Sequence, residues 1–128
     1  MEIARRGGFH NWFRGISAFT VLATFALVIL GGVVRVTESG LGCPDWPGCD
    51  GGVFPPLEPK AIIEYSHRIT ASFLVGPLIV FLFISAWVRY RQERWVLVPA
   101  TVAFVLVFAQ AGLGGATVLS GLPGATVM

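Results

Sequence analysis

Charged residues are spaced very unevenly along this chain. Gly15 to Val34 contains none, Ile69 to Val88 contains none, and Trp95 to Met128 carries none at all. Two polar intervals separate these apolar runs: a long one rich in Gly, Pro, Asp and Glu, and a short one, RYRQER, at residues 89–94. An α-helix rises about 1.5 Å per residue, so roughly 20 apolar residues cross the ~30 Å hydrocarbon core of a bilayer. The pattern predicts three transmembrane helices, at about residues 12–35, 62–89 and 94–119, with a long loop over 36–61. The expected fold is an all-α integral membrane protein, a single transmembrane domain over residues 1–128.

Composition agrees with that pattern. Mean hydropathy is +0.75 and only 12% of residues are charged, against about 25% in soluble domains. A net charge of +2 without a basic tract excludes a nucleic-acid-binding role. The first apolar run follows Arg5 and Arg6 as a signal peptide would, but it is too long for an h-region and no A-x-A-like cleavage site follows. Aromatic residues mark the helix ends: Trp12 and Phe13 at the first, Trp87 and Tyr90 at the second, Trp95 at the third. Arg5, Arg6 and Arg14 crowd the N-terminal tail, and Arg89, Arg91 and Arg94 crowd the short loop. The long loop and its margins hold only Arg35, Lys60 and Arg68, beside Glu38, Asp45, Asp50, Glu58 and Glu64. The positive-inside rule therefore predicts a cytoplasmic N-terminus and a long loop on the outer face, with Gly121 to Met128 also outside.

A faint repeat is visible. The first helix exits through LGGVVRVTESGL (30–41) and the third through LGGATVLSGL (113–122). Matched exits suggest a duplicated helical hairpin, so a fourth helix is expected after Met128 as partner to the second. The alternative is that small residues simply recur where membrane helices approach closely. Pro55, Pro56 and Pro59 punctuate the long loop, and proline suits a first helical turn. Pro77 falls mid-helix and should kink it or free a carbonyl near residue 73. Pro99 lies near the start of the third helix.

Candidate chemistry concentrates in EYSHR, residues 64–68. Glu64 and His67 are three apart and share a helix face, and ionisable groups at membrane depth are functional candidates. An imidazole in an apolar bundle suits an axial haem ligand, and a carboxylate one turn away could take a proton or position water. Against this stands the plainer reading, with Glu64 in water above the membrane and His67 hydrogen-bonded to a carbonyl. A di-iron site is weakly supported, because only one ExxH copy is present. His10 lies in the basic tail, where it should be solvated. Arg68 and Arg35 suit either haem propionates or snorkelling to lipid headgroups. The two cysteines, Cys43 and Cys49, sit in GLGCPDWPGCDGG, where a metal clip, a redox pair and a structural staple all remain open.

Taken together, GGVVRVTESGLGCPDWPGC, EYSHRITA and GLGGATVLSGLP resemble the haem A synthase family, over residues 15–123. The resemblance implies eight helices in two similar four-helix halves, of which this chain matches the N-terminal half. It implies oxidation of a methyl group of haem O to the formyl group of haem A, for cytochrome oxidase. His67 is then the axial ligand of the substrate haem, Glu64 the functional carboxylate, and Cys43 and Cys49 the loop cysteine pair of bacterial members. Implied partners are haem O, membrane lipid, haem O synthase and cytochrome oxidase assembly factors; the implied location is a bacterial plasma membrane. The family's second histidine lies on the fourth helix, and its C-terminal half holds a second haem, expected to be haem b. Neither segment is in this sequence, so truncation, or completion by a second polypeptide or copy, is the expectation. Turnover by this chain alone is not expected.

Two other functions compete: a membrane thiol-disulfide oxidoreductase passing electrons from the cysteine pair to quinone, and a non-enzymatic assembly subunit. The five-residue cysteine spacing is unlike a C-x-x-C redox motif. Two cysteines without a nearby histidine also fall short of a zinc site. An outward loop lies in an oxidising compartment. There a disulfide closing so small a ring stabilises the loop by roughly 2 kcal/mol, with Trp46 available to pack over the bundle mouth.

Overall fold

The computed structural model describes residues 2–121, with side chains from His10 onward. The helices are α1 (Glu2–Val36), α2 (Pro59–Ile69), α3 (Gly76–Arg89) and α4 (Arg94–Leu119), with a π-helical turn, Thr70–Val75, joining α2 to α3. Because α2, the π-turn and α3 are continuous, the described residues form three rods. Each contains a stretch long and apolar enough to cross a bilayer: His10–Val36, Pro59–Arg89 and Arg94–Leu119. The protein is an all-α membrane protein. The side chains of Arg5 and Arg6 and the residues beyond Gly121, among them Leu122 at the end of the second LGG exit, lie outside those described.

Pro59 occupies the first turn of α2, where its missing N–H costs nothing. Pro77 acts differently from a simple kink. The preceding turn widens, so that the Gly76 N–H reaches back to the Ala71 carbonyl in an i→i−5 bond. A π-turn here takes up the register change that a mid-helix proline demands. Pro99 is accommodated inside α4 without ending it.

The middle rod is the hub. Its α2, π-turn and α3 parts all touch α1, and its α3 part packs along α4. The buried contact joins Ala23 of α1 to Val75 and Ile79, with Leu27, Leu78, Ala103, Phe104 and Val107 around them. Rings carry much of the rest: Phe83 stacks on Phe104 at 4.2 Å, and Trp12 meets Phe81 edge-on at 5.2 Å.

The two LGG exits end alike in the backbone. α1 closes with Thr37 N–H on the Val33 carbonyl and Glu38 N–H on Arg35; α4 closes with Ser120 on Ala116 and Gly121 on Val118. In both, the residue eight after the LGG leucine takes positive φ, 52° at Glu38 and 59° at Gly121. At α1 the Ser39 N–H also reaches the Val34 carbonyl at 2.9 Å, completing a Schellman cap. Glycine is the usual occupant of that left-handed position, and α1 places a glutamate there.

Candidate functional site

The loop after α1 folds back onto the first turns of α2. Ser39, fully buried, bonds the Thr37 hydroxyl at 2.6 Å and accepts the Gly42 N–H at 2.9 Å. Gly42 then passes so close to α2 that a Cβ on it would fall 2.6 Å from the Lys60 carbonyl carbon and 2.8 Å from the Ala61 nitrogen. Only glycine fits there. Immediately after it, Cys43 forms a disulfide with Cys49. Both cysteines are fully buried, packed with Ala61 and Tyr65 of α2. Paired main-chain bonds between Cys49 and Gly52 close the ring's far side, and the Asp45 carboxylate accepts the Gly51 N–H at 2.6 Å.

Two charged side chains of EYSHR hold this ring to the helix. Glu64 is buried, and its Oε2 accepts the Cys43 N–H at 2.8 Å. Its Oε1 pairs with Nη2 of Arg68, one turn on. Arg68 Nη1 donates to the carbonyls of Asp45 (2.6 Å) and Gly48 (2.8 Å), and Nη2 donates also to that of Cys43 (3.2 Å). Each terminal nitrogen has two N–H groups, so all four are engaged. A buried charge is tolerable when paired and hydrogen-bonded in this way.

His67 is treated differently from its neighbours. It is half-buried on the side of α2 that faces α1, and its ring nitrogens take no hydrogen bond among the described residues. Its Nε2 lies against Gly31 of α1, where a Cβ would stand 3.2 Å away. An imidazole inside an apolar span, with no hydrogen-bond partner among the described residues and a glycine opposite, keeps its ring nitrogens able to take one. The donor set suits haem iron, which takes an imidazole nitrogen as axial ligand.

The structure thus brings Glu64, His67, Arg68 and the disulfide together at the head of α2. Arg35 is not drawn in; it is exposed in the last turn of α1. His10 is exposed too, with Nδ1 3.4 Å from the Tyr90 hydroxyl. Sequence reasoning missed three groups: Gly42, Ser39, and Tyr65, whose hydroxyl donates to the Val53 carbonyl. For Tyr65 a signal existed, since it sits beside Glu64 in EYSHR; Gly42 carried none beyond being a glycine. Trp46 does pack on the bundle. Its indole lies on Gly115 of α4, 3.2 Å from where a Cβ would be.

The family model for cytochrome oxidase assembly protein, COX15-CtaA, matches residues 14–128. Among curated relatives, the heme A synthase of Bacillus licheniformis is 36% identical over 109 residues, covering 84% of this chain and 36% of that protein. The heme A synthase of Lysinibacillus sphaericus is 38% identical over 117 residues, covering 88% and 37%. That of Bacillus cereus is 38% identical over 116 residues, covering 88% and 36%. The chain therefore spans little more than a third of the length of these relatives. No solved structure matches it. With the match running from early in α1 through the loop, EYSHR and α4, the chain belongs to the COX15-CtaA family of cytochrome oxidase assembly proteins, the family of the haem A synthases.

Proposed function

We propose that this chain is the substrate-haem half of a haem A synthase, an oxidoreductase that converts the methyl group of haem O to the formyl group of haem A for cytochrome oxidase. The relatives' shared name supports the reaction. The observation that carries the site is the contrast within EYSHR: Glu64 and Arg68 are bonded to the loop, while His67 has no hydrogen-bond partner among the described residues and faces Gly31. In this reading His67 would hold the iron of haem O through its imidazole. The membrane is the bacterial plasma membrane, with the cysteine loop on its outer face and the N-terminus and the RYRQER loop on the cytoplasmic side.

Methyl to formyl takes up one oxygen atom at the level of water and gives up four electrons and four protons, in two two-electron steps through a hydroxymethyl stage, the electrons passing to an acceptor outside this chain. Glu64 is the carboxylate positioned to receive a proton or to orient the oxygen source. Each of its oxygens accepts one bond from the protein and keeps capacity for another. The clamp around it fixes its position, as general acid–base work requires. Arg68 has no terminal N–H to spare for a propionate, so exposed Arg35 is the better placed of the two arginines. The fully buried disulfide counts against a thiol-exchange role, because an attacking thiolate must reach a sulfur.

The test uses the whole protein. His67→Ala should abolish the Soret absorption of bound haem O, and Glu64→Gln should keep that absorption but stop conversion to haem A. Unchanged haem O binding in the first variant would remove His67 as ligand, and full turnover in the second would remove Glu64 from the mechanism.

A further inference from the structure

Between the disulfide ring and α2 the loop runs Val53-Phe54-Pro55-Pro56-Leu57, without a charge. Three of these side chains stand almost fully in the open: Val53 is 74% exposed, Phe54 82% and Leu57 95%. Tyr65 sets the height of this segment. Its ring packs on the disulfide cluster and its hydroxyl holds the Val53 carbonyl. Tyr65 lies about 9 Å along the helix axis from Pro59, and a helical side chain leans back only over the turn before it. Val53 therefore lies beside the first turns of α2 rather than beyond its end, and the segment runs from there to the start of α2 at Pro59. Those turns open an apolar span, Pro59–Arg89. Apolar groups at that level meet the boundary between lipid headgroups and acyl chains.

Two of the segment's five residues, Pro55 and Pro56, have no N–H to leave unpaired where water is scarce. An exposed apolar segment calls for an occupant, and this one leads, through the exposed Glu58, into the membrane span that opens at Pro59. We propose that Val53, Phe54 and Leu57 insert into the lipid interface as an apolar wedge, tying the disulfide ring to the membrane surface on one side as Arg68 ties it to α2 on the other. The proposal does not depend on any haem chemistry.

The test places a nitroxide at Leu57→Cys, and at exposed Asp50→Cys, just past the ring, as a control, in the whole protein with its native disulfide kept oxidised. Leu57 touches almost nothing, so its replacement should leave the fold intact. In vesicles of phosphatidylcholine and phosphatidylglycerol, oxygen concentrates in lipid and a water-soluble nickel chelate does not. Oxygen should relax the label at 57 several-fold more than the chelate, with the order reversed at 50. A chelate-dominated label at 57 overturns the proposal in favour of a water-exposed loop. A label reached by neither also overturns it, because the wedge would then be seated against protein.

Discussion

At the cysteine-loop end of the rods, the contacts are directional and few. Glu64 holds one N–H, Arg68 holds three carbonyls and Glu64, a disulfide closes the ring, and Gly42 touches α2 backbone to backbone. Toward the RYRQER turn the contacts are broad and apolar: Phe83 on Phe104, Phe104 against Phe108 at 4.8 Å, Phe13 against Tyr90 at 4.8 Å. In lipid, apolar surface gains little by leaving an equally apolar solvent, so ring contacts contribute mainly dispersion and shape. Hydrogen bonds to a charge in the same low-dielectric setting are stronger and fail together. One end is therefore built to hold a fixed geometry and the other to tolerate exchange. The proposed chemistry sits at the first.

Arg68→Ala should be the most damaging single change. It removes four bonds and leaves Glu64 buried without its ion pair, which costs about 3 kcal/mol or more. The expected result is a clear fall in the denaturation midpoint in mild detergent and protease sensitivity within residues 43–49. Arg68→Lys should recover little, because an ammonium cannot reach three carbonyls and a carboxylate in the guanidinium's fork geometry. Next comes Gly42→Ala. Its Cβ meets backbone that cannot rotate away, so the loop must lift, at a cost of about 2 kcal/mol; the same protease assay reads it.

At the other end, Phe104→Leu should lose the stack on Phe83 and cost only about 1 kcal/mol. A loss equal to that of Arg68→Ala would erase the distinction between the two ends. The smallest effect has the opposite sign. Glu38 holds a left-handed conformation that a glycine adopts freely, so Glu38→Gly should stabilise α1's cap by about 0.5 kcal/mol once the glycine's extra unfolded-state entropy is counted. A lower midpoint in that variant would mean that the Glu38 side chain contributes more than its backbone strain removes.

Much of the site could be read before the fold was known, and the reason is local. EYSHR stands out because three ionisable residues interrupt the start of an apolar run. The cysteines stand out because there are only two. What stayed hidden is how these groups divide their work. Arg68 looked suited to a propionate or a headgroup, yet its partners are main-chain carbonyls of Cys43, Asp45 and Gly48, groups that every residue owns and no motif marks. Pro77 announced a disturbance but not its form, because a widened turn and a kink answer the same missing N–H. The helix exits reversed the difficulty. Their shared LGG was legible, but that both turn left-handed at the same distance from it, through Glu38 in one and Gly121 in the other, is visible only in the backbone.

The sequence by itself determined which segments are apolar enough to cross a membrane, because a hydrocarbon solvent sorts residues one at a time by transfer energy. It also determined that Glu64 and His67 lie near one another, because helical spacing is local. Only the tertiary structure decided that Glu64 and Arg68 belong to the loop while His67 faces Gly31 on another helix. Those pairings span 20 residues and more, and they depend on how the loop folds back, which no periodicity along the chain encodes.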